Sequence, residues 1–526
     1  MMRKRVAPSA GPGGPPSAPF EGDQSETFAF LSDARAYGLA GPVKRIDTQS
    51  SVVFLAGDDV YKVRRAIRLP FLDFSTLEKR RAACEAEIEV NRENAPRIYL
   101  DVVAVTRRGA SLQLGGAGEV VEWATHMRRF DEDATLDRIA ERDALTSEFV
   151  RKLARAIHLS HERAPTRDGE RATRSLSTYL YQNETVFGAR PDLFDPARAD
   201  ELARDSRRAF AVVRPLLLAR GEEGYVRRCH GDLHLRNIAV VEGEPLLFDA
   251  IEFDPDIATG DILYDLAFAL MDLWERGLRP AANLLLASYL SLSDEAQFSG
   301  LAALPIFMSI RAAIRAKVEA ANIAHVSGAE QTREREAARR YFLFAEAFLK
   351  PAPARLVAIG GLSGTGKSAL AAALAPEIGR APGALVLRSD VERKRLFAVE
   401  ETTRLPDEAY GEEANRETYA RLARKAGLAL RAGHSVVIDA VHAHPREREA
   451  TARLAADLEV PFTGLWLEAP LALRLRRVGG RARDASDADA RVVAAQTAAP
   501  LVEAGWSALD ATGDLASLVE AARALV

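Results

Sequence analysis

Between positions 230 and 249 the chain reads HGDLHLRNIAVVEGEPLLFD. An acid, Asp232, is followed five residues on by an amide, Asn237, and a short apolar hairpin then delivers a second acid, Asp249. Phosphoryl transfer from ATP needs this set. One carboxylate orients the acceptor hydroxyl and takes its proton, while an amide and another carboxylate hold magnesium against the phosphates. HGD alone also suits a turn whose Asp caps nearby amides. The acid-to-amide spacing joined to a hairpin ending in Asp points instead to the chemistry, with Asp232 catalytic and Asn237 and Asp249 on the metal.

A second set follows position 355. LVAIGGLSGTGKSAL reads as a buried strand, a Gly-rich loop and a helix, and Gly361, Gly364, Thr365, Gly366, Lys367 and Ser368 fall in the GxxxxGK[ST] pattern. The glycines let backbone amides face phosphates, Lys367 brings a point charge, and the Ser368 hydroxyl can bind magnesium. LVLRSD then reads as a strand ending in Asp390, with Arg393 and Lys394 at a helix start. SVVIDA is a strand ending in Asp439, the usual place for a second magnesium-shell acid. Beyond it, RVGGRARDASDAD, holding Arg477, Arg481 and Arg483, is either an arginine lid over transferring charge or a basic surface loop. Strands alternating with helices predict a parallel sheet with phosphates at its carboxyl edge.

The first set needs a phosphate cation of its own. SVVFLA and VYKV, joined by GDD, predict a hairpin that places Lys62 inside a strand, where it is either a solvated edge residue or the cation on the phosphates. The next helix, read as opened by Ser75 with Glu78 as a capping box, carries ACEAEIEVN. Glu87 on it can reach back to Lys62, with Glu85 and Glu89 as competitors. VVAVT, SLQL and VVEWATHMRRF complete a small sheet lobe, with the interlobe hinge expected at Glu122 to Met127. A helix from Thr146 packs Phe149, Leu153, Ala156 and Ile157 on one face; His158 and His161 on it read as packing residues rather than ligands.

Acids at 252, 254, 256, 261 and 265 suit metal, turn and capping duties, or attraction of a polycation. Helices are predicted over 262–276, 281–292, 305–324 and 331–349. Arg311 and Arg315, four apart on one helical face, with Lys317 close by, either meet an anionic or neutral acceptor or are solvated charges.

With 526 residues several cores are expected; the net charge of −4 gives no basic field for nucleic acid. Two cysteines, Cys84 and Cys229, lack metal-ligand spacing, and no stretch reads as a secretory signal or membrane span. A cytoplasmic protein without membrane or nucleic-acid partners is therefore expected. Residues 1–25, rich in Pro, Gly, Ser and Ala, read as a disordered tail, and KPAPA at 350–354 as a boundary. The expected domains are 26–350, with a small lobe to about 130 and a helical lobe beyond, and 351–526.

HGDLHLRN followed by LFDAIEFD resembles the kinase-like aminoglycoside and choline phosphotransferases. The pattern departs from protein kinases in lacking a GxGxxG loop, and Thr48, Gln49 and Ser50 stand where phosphotransferases of this type use small polar residues. The second half resembles small-molecule P-loop kinases of the gluconate and shikimate kinase type, and more distantly the zeta-toxin group. By that likeness Asp390 faces the acceptor hydroxyl and Arg393 contacts substrate. The order of parts is similar to a bacterial family fusing the two domains, over about residues 28–525 and most clearly at VYKV, FLDF, HGDLHLRNI and GLSGTGKS. The resemblance implies an α+β bilobal kinase-like domain followed by an α/β P-loop domain with a mostly parallel sheet, and ATP binding in both. The expected activity is ATP:Mg-dependent phosphoryl transfer to hydroxyls of small molecules in each half. The alternative is one nucleotide-binding half regulating a single active kinase.

Overall fold

The computed structural model of the protein describes residues 20–69, 72–142, 144–480, 485–501 and 504–526. They form two compact units, one running to Asp272 and taking in Met308–Ala347, the other made of Leu273–Phe307 with Phe348–Val526.

In the first unit, strands precede helices. Six antiparallel strands lie in the order Lys44–Asp47, Ser51–Ala56, Asp59–Arg64, Glu119–Arg128, Tyr99–Arg108 and Ser111–Leu114. The β-branched run SVVFLA is buried throughout, and Gly57 and Asp58 make the two-residue turn that pairs Ala56 with Asp59. Behind the sheet lies the helix Leu77–Asn91. Its cap is Thr76, whose side chain accepts from Lys79 N–H; Ser75, the expected cap, instead bonds Asp73. Glu122 to Met127, expected as the hinge, lies inside the strand Glu119–Arg128, with Glu122 buried against Arg80 and Gln24. The connection to the helical part follows Arg128.

Of the expected tail, residues 1–19 lie outside the described residues. Phe20–Glu21, however, forms a strand pairing with Ile67 and Arg68, and buried Gln24 bonds Ala66 N–H and Arg64 O. The tail therefore ends earlier than 25. In the helical part, Ile238–Val241 and Glu244–Leu247 form the expected hairpin. Its turn residues, Glu242 and Gly243, have φ of 53° and 77°, as a type I′ turn requires.

The second unit holds five parallel strands. Numbered along the chain, Leu356–Gly360, Leu385–Arg388, Val436–Asp439, Phe462–Glu468 and Trp506–Asp510 lie in the order 2-3-1-4-5. Val357, Ile359, Val437, Leu465 and Leu467 pack with Leu370 and Leu374 in one core. That fits the near-continuous apolar strands of a sheet covered on both faces.

The helix Arg279–Leu292, expected in the kinase-like domain, packs against the edge strand Leu385–Arg388. Its buried Asn283 donates to Pro382 O at 3.1 Å and Ala384 O at 2.8 Å. A cut at 350 separates this helix from the strand it covers. A fragment of residues 351–526 is accordingly expected to lack a cooperative thermal transition by circular dichroism; melting like that of the full chain would contradict this packing role. Among the described residues one helical stretch, Glu295–His325, is long and apolar enough to cross a membrane, and 78% of its most apolar window is buried within the fold.

Candidate active sites

In the first unit, the strand Asp59–Arg64 carries Lys62 inward, and the helix Leu77–Asn91 brings Glu87, with 0% exposure, against it. Lys62 Nζ donates to Glu87 Oε1 and, at 3.4 Å, to Asp249 Oδ1. Thr125 Oγ1 donates to the other Glu87 oxygen at 2.9 Å. Glu85 instead pairs with Arg81 on the exposed face, and Glu89 is exposed. Asp249 has a φ of 62°, uncommon for a residue with a side chain. Its N–H donates to Tyr99 Oη at 3.1 Å, and the next N–H to Asn91 Oδ1 at 2.8 Å, so the surroundings hold the strain.

Asn237 Nδ2 donates to Asp232 Oδ2 at 3.1 Å and to the Asp232 carbonyl at 2.9 Å. Burial alone would raise the Asp232 carboxyl. His234, first, and Arg315 outweigh it and hold the group well below the usual carboxylate range. The carboxylate keeps access to solvent, its side chain being 38% exposed. Burial lowers the His230 pKa, against Asp265 and Asp232 nearby. Its Nε2–H donates to Phe248 O, leaving Nδ1 to accept from Asp232 N–H.

Three side chains brace this loop from beneath. Asp265 accepts from Gly231 N–H at 2.8 Å, and Asp272, seven residues on, from Leu235 N–H at 2.9 Å. Arg311 donates to Gly231 O at 3.0 Å and Tyr264 O at 3.1 Å, with its guanidinium 3.8 Å from the Tyr264 ring centroid. Arg311 is 4% exposed, so it is a brace and not the acceptor contact expected for it. Arg315 bonds Glu319 at 2.7 Å and acts on Asp232 through its charge, while Lys317 is buried against Gln182. These cations lie within the fold, each on a protein partner.

His161, Cys229 and Asp265 bring ligand-type atoms within 4.8 Å of one another. Arg311 stands 3.7 Å from Asp265, burial pushes the Cys229 thiol well up, and His161 Nε2 bonds Asp265 at 3.2 Å. Such a group is a hydrogen-bonded support rather than a cation site.

In the second unit, the strand Leu356–Gly360 ends in the loop 361–366, and the helix Lys367–Leu374 follows. Gly364 has a φ of 85°, and a Cβ there would meet Arg474 O at 2.6 Å and Arg474 Cα at 2.9 Å. Only glycine fits. Gly364→Ala is expected to cost about 1–3 kcal/mol and to displace the loop. Calorimetry should show a lower transition for this unit, with that of the first unit unchanged.

Lys367 Nζ donates to Leu362 O at 3.2 Å. Thr365 donates its hydroxyl to the same carbonyl, and its own carbonyl accepts from Arg477 at 3.2 Å. Arg477 is thus on the loop; Arg481 and Arg483 lie outside the described residues. Ser368 Oγ donates to Asp439 Oδ2 at 2.6 Å, and Arg388 reaches both groups at 3.3 Å. Asp390 lies in the first turn of the helix Ser389–Leu396 rather than at the strand end. Burial raises its pKa and Asp439 adds to this, against Arg388 and Lys367.

Arg393, expected on substrate, is occupied by the protein, donating to Ala409 O at 2.8 Å and Asn415 Oδ1 at 2.6 Å. A cradle that a Cβ would fill, beside a hydroxyl and a carboxylate 2.6 Å apart, fits a phosphate chain and a hard divalent cation. The amide and acids around Asp232 offer the same hard oxygen chemistry.

These geometries define a kinase-like class of protein, with two phosphotransferase-type domains in one chain. Residues 72–301 match the model of the phosphotransferase enzyme family and residues 356–500 that of an AAA domain. Over 465 residues the chain is 30% identical to an uncharacterized protein of Mycobacterium tuberculosis, covering 86% of this chain and 89% of that one. The chain belongs to that family, in which a phosphotransferase-like domain is fused to a P-loop kinase-like domain. Similar solved structures include a choline/ethanolamine kinase family protein from Mesorhizobium loti, at 15% identity and a TM-score of 0.39, covering 62% of this chain and 94% of that one. A gluconokinase from Sinorhizobium meliloti is similar at 18% identity and a TM-score of 0.25, covering 34% of this chain and 93% of that one.

Proposed function

We propose that the chain is a cytoplasmic, ATP- and magnesium-dependent phosphotransferase with two sites, each moving the γ-phosphate to a hydroxyl of a small molecule. The observation that carries this is the duplication of parts. Lys62, Glu87 and Asp249 meet in one unit, and Lys367, Ser368 and Asp439 gather at one loop in the other.

In the first site, Asp232 orients the acceptor hydroxyl and takes its proton as the new P–O bond forms and the bond to the ADP oxygen breaks. Its low pKa keeps it ionised for that task. Lys62, held by Glu87, grips the phosphates. In the second site, the glycine loop, Lys367 and Arg477 hold the phosphates, and Asp390 takes the acceptor proton. Magnesium, when bound, neutralises charge on the phosphate oxygens; Asn237 and Asp249 would hold it in the first site, Ser368 and Asp439 in the second.

The test is ADP release across a library of hydroxyl-bearing metabolites, using the full chain and its Asp232→Asn and Lys367→Ala variants. Two groups of acceptors are expected, one lost with each substitution. A single group lost with both would favour one active kinase whose other half is regulatory.

A further inference from the structure

Lys62 is not the only cation that its strand turns toward Glu87. Arg64, two residues on and so on the same face, is 1% exposed. Its NH2 donates to Glu87 Oε2 at 2.8 Å and also to Glu252 Oε1. Its NH1 reaches Ser51 Oγ at 3.4 Å, and its guanidinium lies 5.5 Å from the Phe74 ring centroid. Glu252 stands three residues beyond Asp249, which itself bonds Lys62. The charges therefore close a ring: Asp249, Lys62, Glu87, Arg64 and Glu252, with the backbone from 249 to 252 completing it.

Resting on the functional reading above, we infer that Arg64 is a positioning residue for the first transfer. Through Glu252 it ties the segment bearing Asp249 to the strand and helix that carry Lys62 and Glu87. A buried carboxylate needs a partner, and the second oxygen of Glu252 has no hydrogen-bond partner among the described residues, so Arg64 is what secures this side chain. Lys62 must serve phosphate as well as Glu87 and Asp249. Arg64 faces no such competition, so it keeps Glu87 and the 249–252 segment in one frame while Lys62 exchanges partners. Supporting contacts of this kind orient metal ligands, and losing one typically lowers metal affinity by about 10- to 100-fold.

The test uses the full chain carrying Lys367→Ala, which weakens nucleotide binding at the second loop, with displacement of trinitrophenyl-ATP by ATP at the tighter site as the readout. In that parent, Glu252→Gln is expected to raise the magnesium concentration for half-maximal ATP binding by about 10- to 100-fold, with little change at saturating magnesium. Arg64→Lys, which keeps the charge, is expected to show a smaller rise. Lys62→Ala should lose affinity at every magnesium concentration.

In nucleotide-free protein, hydrogen exchange should quicken at Ala250 and Ile251, whose N–H groups bond Asn91 and His230, while the rest of the lobe keeps its protection. Wild-type magnesium dependence and local protection in both variants would overturn the role of Arg64. Loss of protection spread evenly over the lobe would overturn it too, as the mark of a purely structural pair. If the parent itself binds no ATP at any magnesium concentration, the functional reading is what fails.

Discussion

Asp232→Asn is expected to lower the rate of the first transfer by about 10²- to 10⁴-fold while ATP affinity stays near its original value. Asparagine keeps the shape and can still meet Asn237, but it cannot take a proton. On the proposed reading Lys62, not Asp232, holds the phosphates, so the loss should fall on kcat. The pH profiles of the two transfers should also differ. Asp232 has a depressed pKa and remains ionised as pH falls, so the first rate should show no acid limb from this group above about pH 5. Asp390 has a raised pKa, so the second transfer should lose rate at a higher pH, as its base is protonated sooner. Coincident acid limbs would show that these carboxylates are not the two bases.

Lys367→Ala is expected to weaken ATP binding in the second unit by about 10- to 100-fold, since a hydrogen bond to a charged group is worth about 1.5–3 kcal/mol. The ammonium now rests on the carbonyl of Leu362, at the loop where phosphate oxygens would compete for it. The same substitution should leave the first transfer intact, because Lys62 and Asp249 draw on a separate set of partners. Titration calorimetry reads the affinity directly, and the first-site acceptor assay reads the independence.

The residues most legible in the sequence were those whose spacing is set by local geometry. The loop before Lys367 follows from a strand, three glycines and a helix start, and the Asp232-to-Asn237 interval from one turn of chain before a hairpin. Lys62 and Glu87 needed one tertiary step, which strand alternation and a helix running behind it made short. Glu85 could be set aside only once its partner Arg81 was seen on the outer face.

What escaped was decided by packing between distant segments. Arg311 looks like any helical cation until Tyr264 and Phe268 are found closing over it. The helix Arg279–Leu292 sits between kinase-like helices in the chain, yet it belongs to the second unit, where Asn283 and its apolar face cover the sheet edge. Two signals were available and unused: Arg64 at the alternate position to Lys62, and Asp265 with Asp272 seven apart on one helix face.

On the proposed reading this one chain holds two separate nucleotide sites. Equilibrium titration of the full chain with ATP in saturating magnesium tests it most directly. Two ATP molecules per chain are expected at wild-type affinity, falling to one with either Lys62→Ala or Lys367→Ala and to none with both, the altered site filling only at higher ATP. A stoichiometry of one, abolished by either substitution alone, would contradict it.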